Sequence, residues 1–161
     1  MVIHGLCWGG GLQIALGADF RFATPDASFS IMEGKWGLIP DMGGNLALRE
    51  IVAKDVALKL TMSAEVVSAQ QALAYGLVTA VHDDPLQEAM QLAAQITERS
   101  PDAVAAVKKL YHQNWFKPER RMLARESLYQ IRILLGKNQG KAVRRQMDPD
   151  GKTAYLNRKK W

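Results

Sequence analysis

Three consecutive glycines, Gly9–Gly11, run directly into the apolar stretch "LQIALG" of this 161-residue chain. Glycine weakens a helix by about 1 kcal/mol relative to alanine. Three of them at a helix start are therefore kept for what only glycine does there. Without a Cβ, the first amides of the helix stand open, and the helix dipole favours negative charge in front of them. The stretch demands a strand ending in "MVIH", a tight entry into a short helix, and a stop at Gly17. A helix start of this kind holds a phosphate or an oxyanion. A Walker-type phosphate loop requires Lys-Ser/Thr next, whereas Leu12-Gln13 follows, and the GxGxxG spacing is absent. An oxyanion hole is the better reading, with close helix-to-strand packing as the alternative.

The rest of the chain is well punctuated. "DFRFA" and "ASFSI" alternate polar and apolar residues and read as strands joined by the turn "TPD". "EGKWGLIPDMGG" reads as a loop, after which Asp41 is expected to cap a helix reaching about Val52. Ser68 and Gln71 form a capping box for a helix ending at Gly76, followed by the strand "LVTAVH". Asp84-Pro85 and Ser100-Pro101 each read as an N-cap with proline in the first turn, starting helices near 85–98 and 101–115. A further helix runs from about Pro118 to Leu135, with Ala124, Leu128, Ile131 and Leu135 on one stripe, and a last one covers 139–146. The tail reads as irregular. Strands mixed with helices, then helices alone, imply α/β layering with a helical appendix.

Composition narrows the class. The single cysteine, Cys7, allows no intrachain disulfide and no cysteine zinc cluster, which suits a reducing cytoplasm. The longest stretch free of charged residues, Val2–Ala18, is too short and too glycine-rich for a membrane span. Residues 1–116 carry a net charge of −4 and residues 117–161 a net charge of +9. The basic end is a solvated face or a site for an anionic partner. No nucleic-acid motif accompanies it.

"HGLCWGGGLQIALGADFRFATPDASFSIMEGKWGLIPDMGG", with the later "SAQQALAYGLVTAVHDD", resembles the crotonase superfamily, the enoyl-CoA hydratases and isomerases. The triple glycine, the "AD" ending its helix, the strand leading to a glutamate, "GLIPDMGG" and "A-x-x-A-x-x-x-GLV" carry the likeness. It implies a β-β-α spiral core and a C-terminal helical region that builds oligomers, a trimer or a dimer of trimers. It also implies acyl-CoA thioester substrates, with coenzyme A entering as part of the substrate, so that no separate cofactor and no metal are expected. Family members carry a further N-terminal section, so the spiral is expected to be incomplete at its N-terminus. The expected division is 1–98 for the core, 99–146 for the trimerisation helices and 147–161 for a basic tail.

The resemblance also assigns roles. Gly10 matches the residue whose N–H forms half of the oxyanion hole, with Gly9 and Gly11 beside it at the substrate. Glu33 matches the catalytic glutamate. Gln13 stands where hydratases have a second glutamate and is expected on the helix surface or facing substrate. Asp41 matches a catalytic aspartate of dienoyl-CoA isomerases. Trp36 is a candidate for the acyl pocket and Lys141 for the CoA phosphates. His4 reads as a hydrogen-bonded core histidine and Cys7 as a small buried hydrophobe. Hydration needs water activated, usually by two carboxylates, and an amide does not ionise. Moving a double bond needs one proton taken and one returned. Isomerisation of an enoyl-CoA or dienoyl-CoA is therefore the expected parent activity, and hydration is the alternative; this chain, with one oxyanion donor, is expected to have little or no activity of its own. A non-catalytic remnant that binds acyl-CoA or forms oligomers is the reading from another class.

Overall fold

A computed structural model describes residues 1–148 and 153–158. The chain forms two compact units, Met1–Leu92 and Ala93–Trp161. The division falls inside the helix Pro85–Thr97.

The first unit repeats one motif. Strands β1 (Val2–Ile3) and β2 (Leu6–Trp8) lead into helix α1 (Gly10–Leu16), and strands β3 (Phe22–Ala23) and β4 (Ser28–Ser30) lead into a 3-10 turn over Met32–Trp36. β1 pairs in parallel with β3, Val2 opposite Phe22, while β2 pairs in parallel with β4, Cys7 opposite Phe29. Each turn of chain thus contributes one strand to each of two sheets. Between β1 and β2 the chain turns at Gly5, whose φ of +65° is the left-handed conformation that glycine adopts without penalty. The Gly5 carbonyl accepts from the Ser28 N–H of the next turn at 2.8 Å.

The remainder of this unit closes both sheets. Helices α2 (Gly44–Ile51) and α3 (Lys54–Ser63) precede β5 (Val67–Ser68), helix α4 (Ala69–Tyr75) and β6 (Ala80–Val81). β5 runs antiparallel beside β4, and β6 runs parallel beside β3. Apolar side chains, among them Ile3, Ala15, Ala23, Phe29, Val67, Ala72 and Leu77, form one buried cluster. The Ser68–Gln71 capping box is present in both directions, and Gly76 ends α4 in the left-handed conformation.

The structure departs from the sequence reading at several points. β2, β5 and α3 lack the signals that would announce them. The two strands are three and two residues long, and α3 starts after Ala53 and ends on Ala64 at φ +48°, with neither a polar cap nor a glycine stop. Asp41 does not cap α2, which begins three residues later with Gly43 at the cap position. His4 is exposed rather than in the core, whereas Cys7 is buried.

The second unit is helical. It takes in the end of α5 (Pro85–Thr97), then α6 (Pro101–Asn114), α7 (Glu119–Leu134) and α8 (Lys137–Met147). Asp84 caps α5 through the Gln87 N–H at 2.9 Å, but Ser100 makes no such bond to α6, and its hydroxyl is buried without a partner. α6 and α7 pack through Ala106, Leu110 and Tyr129, flanked by Met122, Leu128 and Ile133. Of the stripe expected on α7, Leu128 joins this packing, whereas Ala124 and Ile131 are exposed, as is Leu135 just beyond the helix. Residues 153–158 have no regular structure, but they are tied to α8. Asn138 exchanges two hydrogen bonds with the Leu156 backbone, at 2.8 and 3.1 Å.

Candidate active site

The site is built where α1, the 3-10 turn and the start of α2 meet. Gly9 sits at φ +53°, and its N–H donates to the Ser30 carbonyl at 2.9 Å. That amide joins α1 to β4. Gly10 is the first residue of α1, so its N–H has no acceptor within the helix. A Cβ at Gly10 would lie 3.2 Å from the Met42 sulfur, tighter than an ordinary contact, so glycine leaves Met42 its room beside the start of α1. Gly11 is exposed, and a Cβ there would meet nothing.

Glu33 lies in the 3-10 turn rather than in an open loop, and it is 9% exposed. Its Oε1 lies 3.7 Å from where a Gly9 Cβ would stand, so the carboxylate reaches back to the glycine run. Oε1 accepts a 2.5 Å hydrogen bond from Gln13 Nε2. Oε2 is buried with no hydrogen-bond partner. That oxygen therefore keeps its acceptor capacity unused.

Gln13 departs most from expectation. It is neither on the helix surface nor open to solvent but 6% exposed. Its Oε1 accepts from the Met42 N–H at 2.8 Å and from the Gly44 N–H at 3.2 Å. Gln13 thus satisfies the first amide of α2, the task expected of Asp41. Met42 and Gly44 act here through backbone amides, which a reading by side-chain chemistry passes over. The excess of glycine at 43–44 was the available signal.

Two other candidates of this unit are exposed rather than drawn into this contact. Asp41 is exposed in the segment before α2, and Trp36 ends the 3-10 turn 77% exposed. Trp36, Leu38, Ile39, Met42 and Leu46 are large apolar side chains left exposed between the 3-10 turn and the first turn of α2. Lys141, in the second unit, donates from Nζ to the Ala154 carbonyl at 2.7 Å. Neighbouring Arg145 pairs with Glu98 and lies over the Tyr155 ring. Among the described residues, no cluster of three His, Cys, Asp or Glu side chains could hold a metal ion, and no helix is long and apolar enough to cross a membrane.

A β-β-α spiral that sets a glycine-opened helix start against one buried carboxylate defines a crotonase-type protein. Comparison with known proteins agrees. The model of the enoyl-CoA hydratase/isomerase family matches residues 1–161, and the chain belongs to that family. It is 35% identical over 111 residues to carnitinyl-CoA dehydratase of Salmonella typhi, covering 68% of this chain and 42% of that protein. It resembles the crystal structure of an enoyl-CoA hydratase from Polaromonas sp. JS666, with 31% identity and a TM-score of 0.85, over 94% of this chain and 60% of that one. A Thermobifida fusca structure solved in complex with CoA matches 81% of this chain and 52% of its own, with 27% identity and a TM-score of 0.77. The chain thus spans less than half of the curated relative and about three-fifths of the Polaromonas protein.

Proposed function

We propose that the site moves a proton at the carbon next to an acyl-CoA thioester and so shifts a double bond along the acyl chain. The single observation that carries this reading is the Gln13–Glu33 pair, one ionisable carboxylate held by one amide that cannot ionise. With a 3-enoyl-CoA, Glu33 Oε2 removes a proton from C2. The electron pair spreads through the carbonyl and the existing double bond as a dienolate, whose oxygen the Gly10 N–H stabilises. The same carboxyl group returns the proton to C4, giving the 2-enoyl-CoA with no atom gained or lost. A dienoyl-CoA would bring Asp41 in as a second proton carrier. The exposed apolar residues from Trp36 to Leu46 suit an acyl chain.

The name of the Salmonella relative favours a second reading, elimination or addition of water. Both begin with the same enolate, so the product decides. The test is to incubate the chain with 3-hexenoyl-CoA and, in parallel, with crotonyl-CoA. The expected result is a conjugated 2-enoyl-CoA from the first and little hydration of the second. Glu33→Gln should lower turnover about 10²–10⁴-fold while leaving acyl-CoA binding nearly unchanged. Efficient hydration without isomerisation would overturn the assignment, and so would full activity in Glu33→Gln.

A further inference from the structure

The Gln13 amide can face only one way. Two backbone N–H groups, from Met42 and Gly44, point at one of its ends, and a donor cannot sit against two donors. That end is the oxygen, so the NH2 group faces Glu33. Rotating the amide by half a turn would set N–H against N–H at one end and oxygen against a carboxylate at the other. Gly44 completes the arrangement. A Cβ there would stand 2.8 Å from Gln13 Cγ and 2.9 Å from its Oε1, so only glycine lets the α2 amide reach this oxygen. Gln13 is therefore locked before it meets Glu33, and it occupies one of the two carboxylate oxygens.

We propose that Gln13 is a positioning residue for Glu33, engaging Oε1 so that Oε2 alone exchanges the proton with the thioester substrate, and holding the site at one ionisable group. This rests on the proton-transfer reading above. A side chain that merely filled space could be replaced by any other of its size. A positioning donor cannot.

Two substitutions separate these roles. Gln13→Met keeps the length and apolar bulk but donates nothing. Gln13→Glu keeps the oxygen that accepts from Met42 and Gly44, but its second oxygen and Glu33 can hydrogen-bond only when one of the two carboxyls is protonated. Two carboxylates at hydrogen-bond distance share a proton and titrate as a pair.

The experiment follows deuterium uptake at the α-carbon of butyryl-CoA in D2O by NMR, across pH, for the chain and both variants. In Gln13→Met the exchange kcat should fall about 10- to 100-fold, the loss of a hydrogen bond to a charged group, with KM within about twofold. In Gln13→Glu the rising limb of the pH–rate profile should move to higher pH by about one unit or more, with much of the rate recovered there. A second measurement needs no turnover. In the substrate-free chain the Gln13 side-chain amide protons should exchange slowly with solvent, and Glu33→Leu should shift them and speed their exchange. Unchanged rates and profiles in both Gln13 variants would overturn the proposal, as would loss through KM alone or a fast-exchanging Gln13 amide. If the amide signature is present but the wild-type chain exchanges no α-proton, the proton-transfer reading fails, and Gln13's role in it with it, while the contact itself stands.

Discussion

Gly44→Ala tests the packing on which the site depends. Gly44 opens α2 with no positive φ, so its backbone suits alanine, which in a helix interior is favoured by about 1 kcal/mol. By propensity alone the substitution should stabilise. The structure reverses that expectation. The new methyl would lie 2.8 Å from Gln13 Cγ, 2.9 Å from Oε1 and 3.1 Å from Cδ, all below ordinary contact. Something must yield by roughly half an ångström in a buried site, and overpacking of this kind costs about 1–3 kcal/mol. If Gln13 yields instead, the buried Gly44 N–H loses its acceptor, which costs about 1–3 kcal/mol. Either route predicts a net loss of about 1–3 kcal/mol in urea unfolding. The decisive comparison is a double-mutant cycle with Gln13→Ala. That variant removes Cγ, Cδ and Oε1 together, so Gly44→Ala should become neutral or stabilising in its background. An equal cost in both backgrounds, or no cost in the wild type, would refute the reasoning.

Three further outcomes follow from other parts of the fold. Arg21 is buried and donates from Nε to the Leu77 carbonyl at 2.6 Å and from Nη1 to the Ala18 carbonyl at 2.5 Å. Burial lowers its pKa, and nearby Asp19 raises it in part. Arg21→Met, which strands both carbonyls, should destabilise by about 2–3 kcal/mol, and a loss below about 0.5 kcal/mol in urea unfolding would argue against a structural role. Burial pushes the Cys7 thiol from 9.0 up to about 11. The folded state therefore keeps a proton that the unfolded thiol releases, and stability falls as pH rises from 9 to 11. Cys7→Ala should flatten that part of the pH–stability curve, and an unchanged curve would contradict the shift. Ile131, Leu134 and Leu135 are 55%, 56% and 79% exposed, more apolar surface than one helix end ordinarily shows to water. Light scattering should therefore find the chain self-associated, with Ile131→Asp plus Leu135→Asp shifting it toward monomer, and a stable wild-type monomer would refute this.

Much of the chain announces itself locally. Gly9–Gly11, the Ser68–Gln71 box, Gly76, and proline after Asp84 and Ser100 are short-range signals. Each acts through a backbone group within a few residues, so the α1, α4, α5 and α6 boundaries are legible without knowing what packs on them. Glu33 was legible as the candidate carboxylate for a related reason: its spacing from the glycine run and from "GLIPDMGG" is a property of the chain order. Elements without such punctuation were not. α3 begins after an alanine and ends on one, and β2 and β5 are too short to show a period and exist because β4 lies between them.

Gln13 marks the boundary between the two kinds of information. The sequence by itself determined that an amide stands 20 residues before Glu33, and that an amide cannot ionise. It also determined that glycines stand at 9–11 and 43–44. Only the tertiary structure decided that these meet. The α2 amides turn Gln13's oxygen toward themselves, leave its N–H for one oxygen of Glu33, and so free Asp41 from capping the helix. The physical reason is that a side-chain amide offers donors and an acceptor at nearly equal distance from the backbone. Which end does what is set by groups far away in sequence, and those are placed only when the sheets close.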